Sequence, residues 1–194
     1  MPHQETLSDL LAAECPVEWA FGNLVHIDSG TAAAVFEHHL DPQLVVRVSD
    51  YPDGWFKFAD DTLRMEQEDG IIQPFRPVVH WIGEVGGVLV AVTERLDRID
   101  DGSVLSDVVE SALKALHGIA DEWAAVERHA PGFRDFCAGL DRKLDLRASN
   151  FMRRGETLVF NDPYSDIPFG LEPILRDFYR VSPGSATRQT APSP

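Results

Sequence analysis

The chain has 194 residues, 44% of them hydrophobic, which suits one globular unit of up to two lobes with a sizeable core. Seventeen basic residues against 32 acidic ones leave a formal charge of −15, spread along the chain, which disfavours direct nucleic-acid binding and suits a soluble protein or one that meets a basic partner. Cys15 and Cys137 stand far apart with no Cys-x-x-Cys spacing, which excludes a disulfide framework and a zinc knuckle.

In chain order, residues 5–14 read as a short amphipathic helix with early acids and no long apolar core. No segment approaches 18 uninterrupted apolar residues, so a cytoplasmic protein without membrane contact is expected, with both thiols reduced. "NLVHIDSGTAAAVFEHHLDPQLVVRVSD" then alternates apolar and polar residues between Ser-Gly and Asp-Pro punctuation, the pattern of several strands. It contains the adjacent His38 and His39, but no histidine spacing that would put metal ligands on one helix face. From Asp53 to Glu68 the apolar positions Trp55, Phe56, Ala59, Leu63 and Met65 predict one helix. "PVVHWIGEVGGVLVAVTERL" predicts a hairpin around Gly86 and Gly87.

The second half changes period. Apolar residues recur at three- and four-residue spacing from Val104 to Val126, which predicts a helix with a broad buried face and Gly118 inside it. "GFRDFCAGLDRKL" offers a further helix, "MRRGETLVF" a short hairpin, and "GLEPILRDFYR" one more helix. "VSPGSATRQTAPSP" has the composition of a disordered tail.

Between these elements, "LDLRASNFMRRGETLVFNDP" groups Asp145, Asn150 and Asp162 around a glycine-centred turn. Turn chemistry alone accounts for such residues. The order Asp-Leu-x-x-x-Asn, hairpin, Asp also resembles the catalytic loop and metal-binding aspartate of the protein-kinase fold. The stretch is similar in particular to short serine/threonine kinase-like proteins of T7-like bacteriophages.

This resemblance implies an α+β, bilobal protein-kinase-like fold, with a β-rich N-lobe and a reduced helical C-lobe. Expected boundaries are an N-terminal helix at 1–16, an N-lobe at 17–96, a C-lobe at 97–183 and a tail at 184–194. The family's glycine-rich loop falls on residues 28–35, where only Gly30 and Val35 match and Asp28 would repel phosphate. In "LVVRVS" Arg47 stands at the lysine position, and Glu66, with Glu68 as fallback, is the expected helix partner of that cation. Thr93 falls on the gatekeeper position, and Glu94, Arg95 and Leu96 on the hinge that reads adenine.

Asp145 is the implied catalytic base, and Arg147 the implied cation beside the transferring phosphate. Asn150 and Asp162 are the implied Mg²⁺ ligands, with Pro163 in place of the mobile Phe-Gly. The implied function is an ATP- and Mg²⁺-dependent serine/threonine phosphotransferase acting on a protein, with host proteins as the targets if phage-encoded. The alternative is a pseudokinase that grips a partner without chemistry, favoured by Arg47 and Asp28. A small-molecule kinase of the aminoglycoside type is a third reading. No Ala-Pro-Glu motif follows Asp162, so the usual peptide-docking platform is not expected.

Overall fold

A computed structural model describes residues 16–30, 33–85 and 87–165. The helices expected at 5–14 and 170–180 and the tail at 184–194 lie outside the described residues.

The described chain opens with α1 (Pro16–Asn23), followed by strands β1 (His26–Ser29), β2 (Ala33–Glu37) and β3 (Leu44–Ser49). Helix α2 (Gly54–Glu68) leads to the hairpin β4 (Val79–Val85) and β5 (Val88–Glu94). The five strands form one antiparallel sheet in the order β1-β2-β3-β5-β4. Successive side chains of a strand point to opposite faces, and β3 uses that alternation fully. Leu44, Val46 and Val48 are buried in a core with Phe36, Val90, Val92, Ala20 of α1 and Leu24 just after it.

The intervening Val45 and Arg47 face the other way. Register places Val35 opposite Arg47 and Thr93 opposite Val45, so these four side chains share the second face of the sheet. Leu89 and Ala91 on that face pack against Trp55, Phe56, Ala59 and Leu63 of α2. That helix begins where the sequence places it, because the Asp53 carboxylate accepts the Phe56 N–H at 2.9 Å as an N-cap.

Beyond the sheet come β6 (Asp97–Arg98), α3 (Val104–Leu116), α4 (Trp123–His129) and α5 (Phe133–Ala138). A final hairpin, β7 (Phe151–Arg154) and β8 (Thr157–Phe160), completes a three-stranded sheet in the order β6-β7-β8. The continuous helix expected from Val104 to Val126 is therefore two helices. Gly118 has φ 68°, a left-handed conformation that ends α3. Both pieces still contribute to one core, in which Val108, Val109, Ala112 and Val126 surround Phe133, Phe136, Phe151 and Phe160. The helix expected from "GFRDFCAGLDRKL" is limited to α5. Cys137 is a free buried thiol there, pushed up to about 12 by burial and then by the nearby Glu127 charge.

The expected α+β arrangement, β-rich first and helical afterwards, is thus present. Its two parts are joined by buried and partly buried polar contacts. From β7, the Arg154 guanidinium forms a two-pronged pair with Glu94 at the end of β5, Nε reaching Oε2 at 2.7 Å. Its Nη2 also donates to the Arg76 carbonyl at 2.8 Å. Arg76 lies over the Phe58 ring of α2 at 4.3 Å and donates to Thr62 Oγ1 at 3.0 Å, and burial pulls its guanidinium below the usual value. The Phe160 N–H donates to the Phe75 carbonyl at 2.9 Å. Together these bonds fasten α2, the segment after it and the last hairpin to one another. No helix among the described residues is long and apolar enough to cross a membrane.

Candidate active site

Between the second face of the large sheet and the β7–β8 hairpin lies a cleft of about 980 Å³. Its lower wall is the segment from Leu144 to Asn150. Leu144 and Leu146 pack on the core around Phe133, so the alternating Asp145 and Arg147 are turned away from it. The main chain then closes a tight turn. The Asp145 carbonyl accepts the Arg147 N–H and the Asn150 Nδ2–H, both at 3.0 Å. The Asn150 carbonyl in turn accepts the N–H groups of Asn161 at 2.8 Å and Asp162 at 3.3 Å, and the Asp145 N–H donates to the Pro163 carbonyl at 2.8 Å. Asp145, Asn150 and Asp162 are therefore laced together through backbone bonds, and all three line the cleft. The Asp145 carboxylate is 3.1 Å from Arg147 Nε, and the Arg147 side chain is 75% exposed.

Arg47 reaches the same cleft from β3. Its Nη2 donates to Asp53 Oδ2 at 2.7 Å and its guanidinium lies 4.4 Å from the Trp55 ring centre. This corrects the pairing expected with Glu66. At 1.5 Å of rise per residue, Glu66 is about 20 Å further along α2 than the cap. Its charge acts on Arg154 instead, and it does not line the cleft. Glu68, the fallback, is exposed at the end of the same helix.

The start of α2 also touches the opposite wall. A Cβ on Gly54 would lie 2.8 Å from the Tyr164 carbonyl oxygen and 2.9 Å from its Cβ, two residues after Asp162. Gly54→Ala is expected to force these backbones apart and destabilise the fold by about 1–3 kcal/mol. Urea unfolding checks this, and an unchanged midpoint would contradict so close a contact.

The remaining expected binding residues also line the cleft, although several of their groups are already engaged. The Gly30 N–H donates to the Ala33 carbonyl at 2.9 Å and so ties the end of β1 to the start of β2. Asp28 forms an exposed ion pair with Arg98 across the cleft mouth at 2.9 Å. In the segment expected to be the hinge, the Glu94 N–H donates to the Val78 carbonyl at 3.0 Å and the Arg95 N–H to the Gln43 carbonyl at 2.6 Å. The Glu94 carboxylate serves Arg154 and the Val78 N–H. Thr93 is buried, and its hydroxyl donates to the Glu94 carbonyl at 3.2 Å. Leu96, beside them in the cleft, has no backbone bond to another described residue.

The donors fit a polyphosphate. Arg47 Nε and Trp55 Nε1 are buried beside the cleft without an acceptor among the described residues, and a buried donor left unpaired costs about 1–3 kcal/mol. For a metal ion, no group of three or more His, Cys, Asp and Glu side chains gathers among the described residues. Asn150 and Asp162 offer one amide oxygen and one carboxylate. That set suits Mg²⁺, which completes its shell with water and phosphate oxygens.

Sequence reasoning missed Asp53, Arg76, Arg154 and Arg98. Only Asp53 had a local signal, an aspartate directly before an amphipathic helix.

No protein-family model and no curated protein matches the chain. Among solved structures, it is similar to three mutant forms of the Mycobacterium tuberculosis PknI kinase domain. The identities are 18%, 17% and 18%, with TM-scores of 0.37, 0.38 and 0.38. The matches cover 71% of this chain and 56%, 56% and 58% of those domains, so the chain spans little more than half their length.

Proposed function

We propose that the chain is an ATP- and Mg²⁺-dependent phosphotransferase of the serine/threonine protein-kinase type. The observation that supports this reading is the meeting of Asp145, Asn150 and Asp162 with Arg47 on the walls of one cleft. When bound, ATP supplies the phosphoryl group, and Mg²⁺ held by Asn150 and Asp162 offsets the charge of the phosphates.

The chain's own residues then have separable tasks. Asp145 accepts or orients the proton of the acceptor hydroxyl. Arg147, 75% exposed beside Asp145, offsets charge that builds on the transferred group. Arg47 holds the polyphosphate from the N-lobe wall. Val35, Val45 and Met152 give the cleft apolar surface for a base, and the Leu96 N–H offers the base edge a donor. If the chain is phage-encoded, as its resemblance to T7-like phage proteins implies, proteins of the host cytoplasm are the expected acceptors.

The occupied N–H groups of Gly30, Glu94 and Arg95 favour a second reading, a pseudokinase that binds a partner without chemistry. Purified protein incubated with γ-labelled ATP, Mg²⁺ and cell lysate separates the two. Label on serine or threonine, in the chain itself or in a lysate protein, is the expected result. Absence of label, with partner binding retained, would leave the binding module.

A further inference from the structure

Resting on the nucleotide reading above, we infer that Asp53 is the positioning residue of the site, setting the phosphate-binding cation from the first turn of α2. A single carboxylate serves two structures. Oδ2 accepts Arg47 Nη2 at 2.7 Å, and Oδ1 accepts the Phe56 N–H at 2.9 Å. The side chain is only 3% exposed, so the pair is shielded from water and salt. Trp55, the second residue of α2, stacks on the same guanidinium at 4.4 Å. Arg47 is thus bonded at one edge and covered on one face by consecutive parts of a single helix start.

This placement differs in consequence from a carboxylate in the body of the helix. Rotation of α2 about its axis would carry a mid-helix side chain away from β3. A cap is tied to its helix by a second bond, because the carboxylate that accepts from Arg47 also accepts the Phe56 N–H of the first turn. The contact of Gly54 with Tyr164 fixes that same end against the Asp162 segment. The cation is therefore held by the helix start on the cleft wall where phosphate would lie. Glu66 has no part in this.

The experiment compares Asp53→Asn, Asp53→Ser and Glu66→Gln with the wild type by titration calorimetry with Mg²⁺-ATP, alongside melting temperature. Asn and Ser are both good N-caps, so the helix start survives in either variant. Neither offers Arg47 a charge, and a charge-assisted hydrogen bond is roughly twice as strong as a neutral one. The expected result is a dissociation constant raised about tenfold in both Asp53 variants, which corresponds to about 1.4 kcal/mol. Glu66→Gln is expected to bind as the wild type does. A role confined to capping would leave affinity and melting temperature near those of the wild type, because both substitutes still cap the helix. Asp53 variants that bind like the wild type, or a Glu66→Gln that binds less well than they do, would overturn the positioning role and leave the nucleotide reading intact. A wild type that binds no nucleotide would remove both.

Discussion

Asp145→Asn is expected to leave the fold unchanged and to lower phosphotransfer by about 10²- to 10⁴-fold, the usual contribution of a general base or orienting carboxylate. The substitution is clean because the loop is held by the main chain. Its anchoring bonds run from the Asp145 N–H to Pro163, and from the Arg147 N–H and the Asn150 amide to the Asp145 carbonyl. None uses the Asp145 carboxylate, which meets only Arg147 among the described residues. That pair is partly exposed, and exposed pairs contribute about 0–1 kcal/mol. Incorporation of labelled phosphate, measured beside melting temperature, checks both halves of the expectation. Equal label in variant and wild type would remove Asp145 from the chemistry.

The largest loss of stability is expected from Phe133→Ala. Phe133 is fully buried at the start of α5, and its ring meets Phe75 at 5.2 Å, Phe136 at 5.8 Å, Phe151 at 6.2 Å and Phe160 at 6.4 Å. Removing such a ring leaves a cavity that rigid neighbours fill poorly, a cost of about 3–5 kcal/mol. A small domain has roughly 5–15 kcal/mol in all, so this variant should sit close to unfolding. Activity should fall with it, because Phe151 follows Asn150 and Phe160 lies two residues before Asp162. Chemical denaturation gives the value. A loss below about 1 kcal/mol would mean that the aromatic cluster repacks, contrary to the close packing of protein interiors.

Much of this architecture was legible because it is encoded locally. The alternation in "LVVRVS" fixes which β3 residues are buried, and so turns Arg47 toward the cleft. Asp53 before "GWF" marks the helix start, and "MRRGETLVF" marks the last hairpin. Gly118 was visible inside the apolar pattern, but the pattern reads through it because α3 and α4 feed one core. Periodicity reports the buried face and is blind to a single left-handed residue.

The convergence of Asp145, Asn150 and Asp162 on one cleft was legible because they lie in one continuous stretch of sequence. The site was misread where a role depended on spacing alone. Glu66 stands at about the right separation from Arg47, yet the helix is set so that its first residues meet that cation. Long-range partners left no trace in any window of sequence. Arg154 and Glu94 are 60 positions apart, and Arg98 and Asp28 are 70.

A cleft that takes a nucleotide with Mg²⁺ must show thermal stabilisation by ATP that depends on the metal. Ligand that binds only the folded state adds about 2.7 kcal/mol at a hundredfold excess over its dissociation constant. The wild type should melt at a higher temperature with ATP and higher still with ATP and Mg²⁺, and Asp162→Asn should lose the increment due to the metal. No shift at millimolar nucleotide, with or without Mg²⁺, would contradict the account.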